Sequence, residues 1–139
     1  MMRVVGLDLG SKTLGIAMSD ALGMMAHGVE TFPFTTAHYK HAILHLVEFV
    51  EKESVAKFIL GIPKNMDGSE GERAAISRRF AEKLKVATGL PVILWDERLT
   101  SMQAQRVLID GNVRRENRKA HIDKLAAVII LQSYLDANG

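Results

Sequence analysis

Acidic residues interrupt apolar surroundings at three places along the 139-residue chain. Asp8 stands in VVGLDLG, Asp96 and Glu97 follow PVILW, and Asp123 precedes LAAVIILQ. Asp is depleted in strands and costly to bury without compensation. Each place also has an ordinary explanation. Asp8 can cap its own turn through backbone N–H groups. Asp96 and Glu97 can end a strand and favour a helix start, with Arg98 as a structural partner to either. Asp123 can serve a first helical turn through capping or the helix dipole. Brought into one pocket, the acids would do more. Close carboxylates repel, and one would stay protonated. A divalent cation removes that conflict, because Mg²⁺ takes oxygen ligands and is held by a few carboxylates together with substrate phosphates. Two such ions about 4 Å apart clamp the attacking and leaving oxygens of a phosphodiester displacement.

Cationic residues give that chemistry a partner. NVRRENRKAH gathers Arg114, Arg115, Arg118 and Lys119 around Glu116, a cluster suited either to phosphates or to a solvated loop. Lys12 lies close behind Asp8, where it reaches a phosphate or solvent. In GIPKNMDGSEG, Pro63, Gly68 and Gly71 break regular structure, while Asn65 and Asp67 favour turns. The segment leads into a helix N-terminus, a natural anion site. Other chemistries find less support. The five histidines form no H-E-x-x-H pattern. His41 and His45 stand one helical turn apart but on a polar face, and His121, two residues before Asp123, is a candidate for proton transfer. Ser11 and Ser19 have no base beside them in sequence. Core packing is the expected role of Trp95, ahead of base stacking.

The elements that must position these groups follow from periodicity. Strands are expected over Arg3–Leu9, Leu14–Ser19 and Val29–Phe34, with GMMAHG as a connection, forming an antiparallel meander. Thr35 or Thr36 then caps a helix whose inner face is Tyr39, Ile43, Leu46, Val47 and Val50. KFILGIP is a strand ended by Gly61 and Pro63. Ser69 and Glu72 have capping-box spacing for a helix with Ile76, Phe80, Leu84 and Ala87 inward, stopped by Gly89. PVILW is the fifth strand. Thr100 and Gln103 repeat the capping-box spacing for a third helix, and Ile122–Leu135 is a deeply packed last helix. This order implies a mixed α/β sheet flanked by helices, with ligands at the carboxyl ends of the strands. The chain has no cysteine, which excludes disulfides, thiolate zinc sites and thiol catalysis. It shows no signal peptide and no membrane-length apolar run, so the expected compartment is the cytoplasm. A net charge of +2 leaves any nucleic-acid affinity to local clusters.

GLDLGSKTLGIAMSD, GIPKNMDGSEG, DERLTS and IDKLAAVIILQ, in that order, resemble the signature segments of the YqgF/RuvX family. These are small bacterial proteins regarded as Holliday junction resolvases and as nucleases maturing the 5′ end of pre-16S rRNA. The resemblance implies one RNase H-like nuclease domain over residues 1–139, with a five-stranded mixed sheet whose first three strands are antiparallel. It implies Asp8, Glu97 and Asp123 as ligands of Mg²⁺ or Mn²⁺ and as the catalytic acids. Lys12, Asn65, Arg98, Arg114, Arg115, Arg118 and Lys119 become the candidate nucleic-acid contacts. Partners would be an rRNA precursor or branched DNA, with no membrane, and the protein a monomer or homodimer. Ser101 and Lys64 depart from residues common in relatives without touching the ligand set. Two other functions share these features. DLGSKTLG resembles the first phosphate loop of actin-like kinases, although no Walker A pattern is present. A ribosome-assembly factor that binds RNA without cleaving it would keep the same acids.

Overall fold

The computed structural model describes residues 2–99 and 118–138, with the side chains of Leu99 and of residues 118–123 outside that description. The sheet begins with β1 (Arg3–Leu9), whose apolar residues bury on both faces. Gly10 turns the chain, its N–H donating to the Thr13 carbonyl at 2.8 Å. β2 (Thr13–Ser19) returns antiparallel to β1, pairing Asp8 with Gly15. β3 (Ala26–Pro33) pairs antiparallel with β2. It starts three residues before the expected Val29, within GMMAHG. Gln132 explains the extension: its side-chain oxygen accepts from the Ala26 N–H at 2.8 Å, and its amide donates to the Met24 carbonyl at 3.0 Å.

The helix α1 (Tyr39–Lys52) follows, without the threonine cap that the sequence suggests. The Thr35 carbonyl instead accepts from the His38 N–H at 2.8 Å, closing a turn ahead of the helix. Ala42, Ile43 and Leu46 bury. His45 is not on a solvated face: its ring stacks on Phe32 with centroids 4.0 Å apart, and it bonds Glu30. β4 (Val55–Ile62) lies parallel to β1, so Gly61 is inside the strand and does not end it.

The helix α2 (Glu72–Thr88) has Gly71 at its N-cap, and no side chain caps it. Ser69 is taken up elsewhere, bonding Asp67 and Asn65, which breaks the expected capping box. The buried row is Ala74, Ser77, Phe80, Ala81 and Leu84, whereas Ala87 is exposed. Gly89 ends the helix at φ +72°, a left-handed conformation that L side chains rarely adopt. β5 (Val92–Asp96) pairs parallel with β4 and runs into a single 3-10 turn, Glu97–Leu99. The expected helix from Thr100 to Leu108 lies outside the described residues.

The last helix, α3 (Arg118–Asn138), is already helical at Arg118, four residues before the expected Ile122. Arg118 and Lys119 therefore stand in the helix, not in a loop, while Arg114 and Arg115 lie outside the described residues. The strand order is β3-β2-β1-β4-β5, with β1 in the centre. One apolar layer joins α1 and α2 to one face through Val5, Leu7, Phe58, Leu60, Phe80 and Leu84. The other joins α3 to the opposite face through Ala17, Ile59, Ala127, Ile130 and Leu131. That second layer is thin. A Cβ at Gly6 would come 2.6 Å from Leu131 Cβ and 2.9 Å from the Ala127 carbonyl, so α3 lies directly on the backbone of β1. Such an approach leaves room only for a hydrogen.

Candidate active site

The carboxyl ends of the three parallel strands β1, β4 and β5 meet at one end of the sheet. Side chains alternate across a strand, so Asp8 shares the α3 face with Gly6. Asp8 is half-buried one residue before the end of β1. Its cross-strand partner is Gly15. On the other side, the Leu7–Leu60 pairing brings Gly61 of β4 level with it. Gly61 in turn pairs with Trp95, two residues before Glu97. Glu97 leans back over β4: a Cβ at Gly61 would come 2.8 Å from Glu97 Cγ, 2.8 Å from its Oε1 and 2.5 Å from Ile130 Cδ1. Asp8 and Glu97 thus stand on one face and at one end of the sheet, on either side of a position that carries no side chain.

Asp96, by the same alternation, faces away from this site. Arg98 grips it through Nε at 3.0 Å and Nη2 at 2.7 Å. That bidentate bond holds the Asp96 carboxyl below its ordinary value of 3.8. Arg98 also reaches the Met66 carbonyl through Nη1 at 3.4 Å, tying the end of β5 to the turn after β4. Its charge is therefore engaged with Asp96, although the side chain remains partly exposed.

That turn is closely knit. The Asn65 N–H donates to the Ser69 carbonyl at 2.8 Å, the Gly68 N–H to the Asn65 carbonyl at 2.9 Å, and Asn65 Nδ2 to Ser69 Oγ at 3.0 Å. Asp67 accepts from the Ser69 N–H at 2.9 Å, and the Ser69 hydroxyl is the first cause of its lowered pKa. Gly68 takes φ +88°. Asn65 spends its amide within the turn, and Lys12 is exposed beyond the end of β1. Trp95 packs as expected: Nε1 donates to Ser133 Oγ at 3.1 Å, and its ring meets Tyr134 edge-on.

Two positions beside the site carry no obvious signal in sequence. Gly61 reads there as a strand end, and only its pairing register reveals the close approach. Arg73, in the first turn of α2, donates to the Leu9 carbonyl at 3.2 Å and the Tyr39 hydroxyl at 3.3 Å, fastening the end of β1 to both helices. An arginine in a helix looks the same in sequence whether it does this or faces solvent.

Asp123 belongs to α3, and its side chain lies outside the described residues, as do those of Arg118, Lys119 and His121. With the helix already formed at Arg118, Asp123 lies beyond the first turn. Capping and dipole effects act within that turn, so they do not account for an acid there. Among the described residues no three His, Cys, Asp or Glu side chains form a metal-holding group. The acids fit a hard divalent ion by donor chemistry: both are oxygen ligands, and glycine keeps the β4 position between them clear. Among the described residues no helix is long and apolar enough to cross a membrane.

The RuvX family model, described as Holliday junction resolvase, matches residues 2–137. A Geobacillus sp. (strain WCH70) protein carrying the name "Putative pre-16S rRNA nuclease" is 52% identical over 136 residues, covering 98% of this chain and 99% of the relative. A Bacillus subtilis (strain 168) protein of the same name is 48% identical over 136 residues, with the same 98% and 99% coverage. Among solved structures, Fowlpox virus resolvase with Holliday junction DNA aligns at TM-score 0.62 and 16% identity, covering 99% of each chain. T. thermophilus RuvC with a Holliday junction substrate aligns at TM-score 0.59 and 13% identity, covering 100% of this chain and 97% of RuvC. These structural likenesses establish the RNase H-like fold. With a family match running nearly end to end and about half of all positions shared with the curated relatives, the chain belongs to the RuvX family of nucleases.

Proposed function

We propose that this chain is a divalent-metal-dependent endonuclease, one domain over residues 1–139, that acts in the cytoplasm on the 5′ region of precursor 16S rRNA. The observation that carries the reading is the placement of Asp8 and Glu97 on one sheet face, with Gly61 between their strands. The course of α3 supports Asp123 as the third acid. Gln132 bonds Ala26 and Met24 at the start of β3, and Tyr134 meets Lys57, which pairs with Val4 low on β1. The C-terminal half of α3 thus descends toward the beginning of β1, and its N-terminal half runs toward the end that bears Asp8. Asp123 precedes Ala127, which rests on Gly6, by one helical turn.

Asp8, Glu97 and Asp123 would hold Mg²⁺ or Mn²⁺ as ionised carboxylates. When bound, the ion supplies Lewis-acid stabilisation of charge developing on the phosphodiester and eases deprotonation of the attacking water. The protein's own part is placement. Arg73 fixes the end of β1, and Arg98 fixes the end of β5 against the 63–71 turn. Lys12 and the Arg114, Arg115, Arg118 and Lys119 cluster supply charge for the substrate backbone. Cleavage of a precursor 16S transcript with and without Mg²⁺ tests the reading. The expected result is cutting that needs the ion and that falls at least a hundredfold in Asp8→Asn. Tight RNA binding without turnover in either condition would replace the enzyme with a binding factor.

The family description favours a second reading, resolution of four-way DNA junctions. That activity needs two coordinated cuts and thus a two-fold pair of chains. Paired nicks in a synthetic junction, together with a dimer in solution, would place it ahead of RNA processing.

A further inference from the structure

We propose that Met66 is a base-contacting residue, a thioether held out to pack against an unstacked base where an RNA duplex ends beside the cut site. The inference deepens the RNA-processing reading and rests on it. Met66 is 95% exposed, more than any other large apolar side chain among the described residues. An isolated exposed apolar residue is usually unremarkable. The setting of this one is different.

The turn that carries it is rigid. The Asn65–Ser69, Gly68–Asn65 and Asp67–Ser69 bonds close it on itself, and Gly68 takes a left-handed conformation that few other residues would tolerate. Arg98 anchors the Met66 carbonyl itself, at 3.4 Å, and Arg98 directly follows Glu97. The backbone of Met66 is therefore tied to the segment that holds a proposed metal ligand, while its side chain touches nothing that would repay its exposure. The turn starts just after Ile62, one residue past Gly61, over which Glu97 leans. Lys64, two residues away, stands 3.9 Å from the Glu70 carboxylate, so its charge is shared with that partner and the contact to the base falls to Met66 itself.

Methionine suits such contact. It is unbranched and polarizable, and it adapts to irregular apolar surfaces. Apolar side chains of this kind wedge between base steps and partly unstack them. A base already free at a duplex end is the cheapest to engage. The structure thus assigns the substrate a stacked-to-unstacked boundary near the scissile phosphate.

The experiment uses the full chain carrying Asp8→Asn, so that RNA stays uncut. The probe is an RNA hairpin with a 5′ single-stranded extension, with 2-aminopurine placed in turn at each position near the duplex end. Asp8→Asn protein should raise the fluorescence at one or two adjacent positions. Adding Met66→Ala should abolish that rise and weaken binding about five- to tenfold, the low end of what removal of a base-stacking side chain costs. Met66→Leu should restore most of both. Melting temperatures of the variants should agree, which separates the contact from a folding defect. If Asp8→Asn binds the hairpin and Met66→Ala changes neither fluorescence nor affinity, the assignment is wrong while the nuclease reading stands. If the protein binds no RNA at all, both fall. A response seen only with a four-way DNA junction would overturn the RNA form of the proposal.

Discussion

At the scale of single residues, the site depends on a missing side chain as much as on the acids. A Cβ at Gly61 would press on Ile130 Cδ1 at 2.5 Å and on Glu97 Oε1 at 2.8 Å. Gly61→Ala should therefore displace Glu97 and overpack the layer beneath α3. We expect a stability loss of about 1–3 kcal/mol in urea denaturation and a higher Mg²⁺ concentration for half-maximal cleavage. Asp8→Asn keeps the size of the side chain and should spare the fold, so its melting temperature should stay close to that of the unaltered protein while cleavage is lost. A melting temperature lowered by more than about 5 °C would assign Asp8 a structural task instead. The acids themselves were legible in sequence, because Asp in an apolar strand is anomalous. Their separation into roles was not. Asp96 and Glu97 are equivalent in DERLTS, and only strand alternation sends Glu97 to the α3 face and Asp96 to Arg98.

At the scale of elements, two ties hold the site end together. One is Arg98, which joins β5 to the 63–71 turn through Asp96 and Met66. The Asp96 carboxyl is held below its ordinary 3.8, chiefly by the Arg98 hydrogen bond. A depressed carboxyl stabilises the fold above its unfolded value and loses that contribution as pH falls through the folded one. The contribution is thus present above about pH 4 and drains away below it. Arg98→Ala should lower stability at pH 7 but show a shallower fall of melting temperature between pH 5 and pH 3. The other tie is the seating of α3 on Gly6. Gly6→Ala should lift the helix and cost about 1–3 kcal/mol, measured by denaturant unfolding, through a Cβ 2.6 Å from Leu131 Cβ. Most elements were legible from periodicity, and Arg3–Leu9 coincides with β1 residue for residue. The misses have two causes. A partner distant in sequence, Gln132, extends β3. Local turns replace the expected caps: the Thr35 carbonyl accepts from the His38 N–H, and Asp67, two residues away, claims Ser69. His45 left its expected polar face because Glu30 and Phe32 wait across the sheet.

At the scale of the whole molecule, a net charge of +2 provides little general attraction for RNA. Salt dependence should therefore report the local cluster. Changing Arg114, Arg115, Arg118 and Lys119 together to Gln should reduce the slope of log affinity against log salt by up to about 0.7 per charge for single strands. An unchanged slope, measured by titration at several salt concentrations, would show that the backbone runs elsewhere. The order of assembly has a consequence of its own. The central strand of the sheet is the first to be made, and the helix that covers it is the last. Asp8 and Glu97 both precede α3 along the chain, and Asp123 lies within it. The proposed set of three ligands can therefore close only once α3 has settled onto Gly6, which makes the packing of one helix the step that would arm the site.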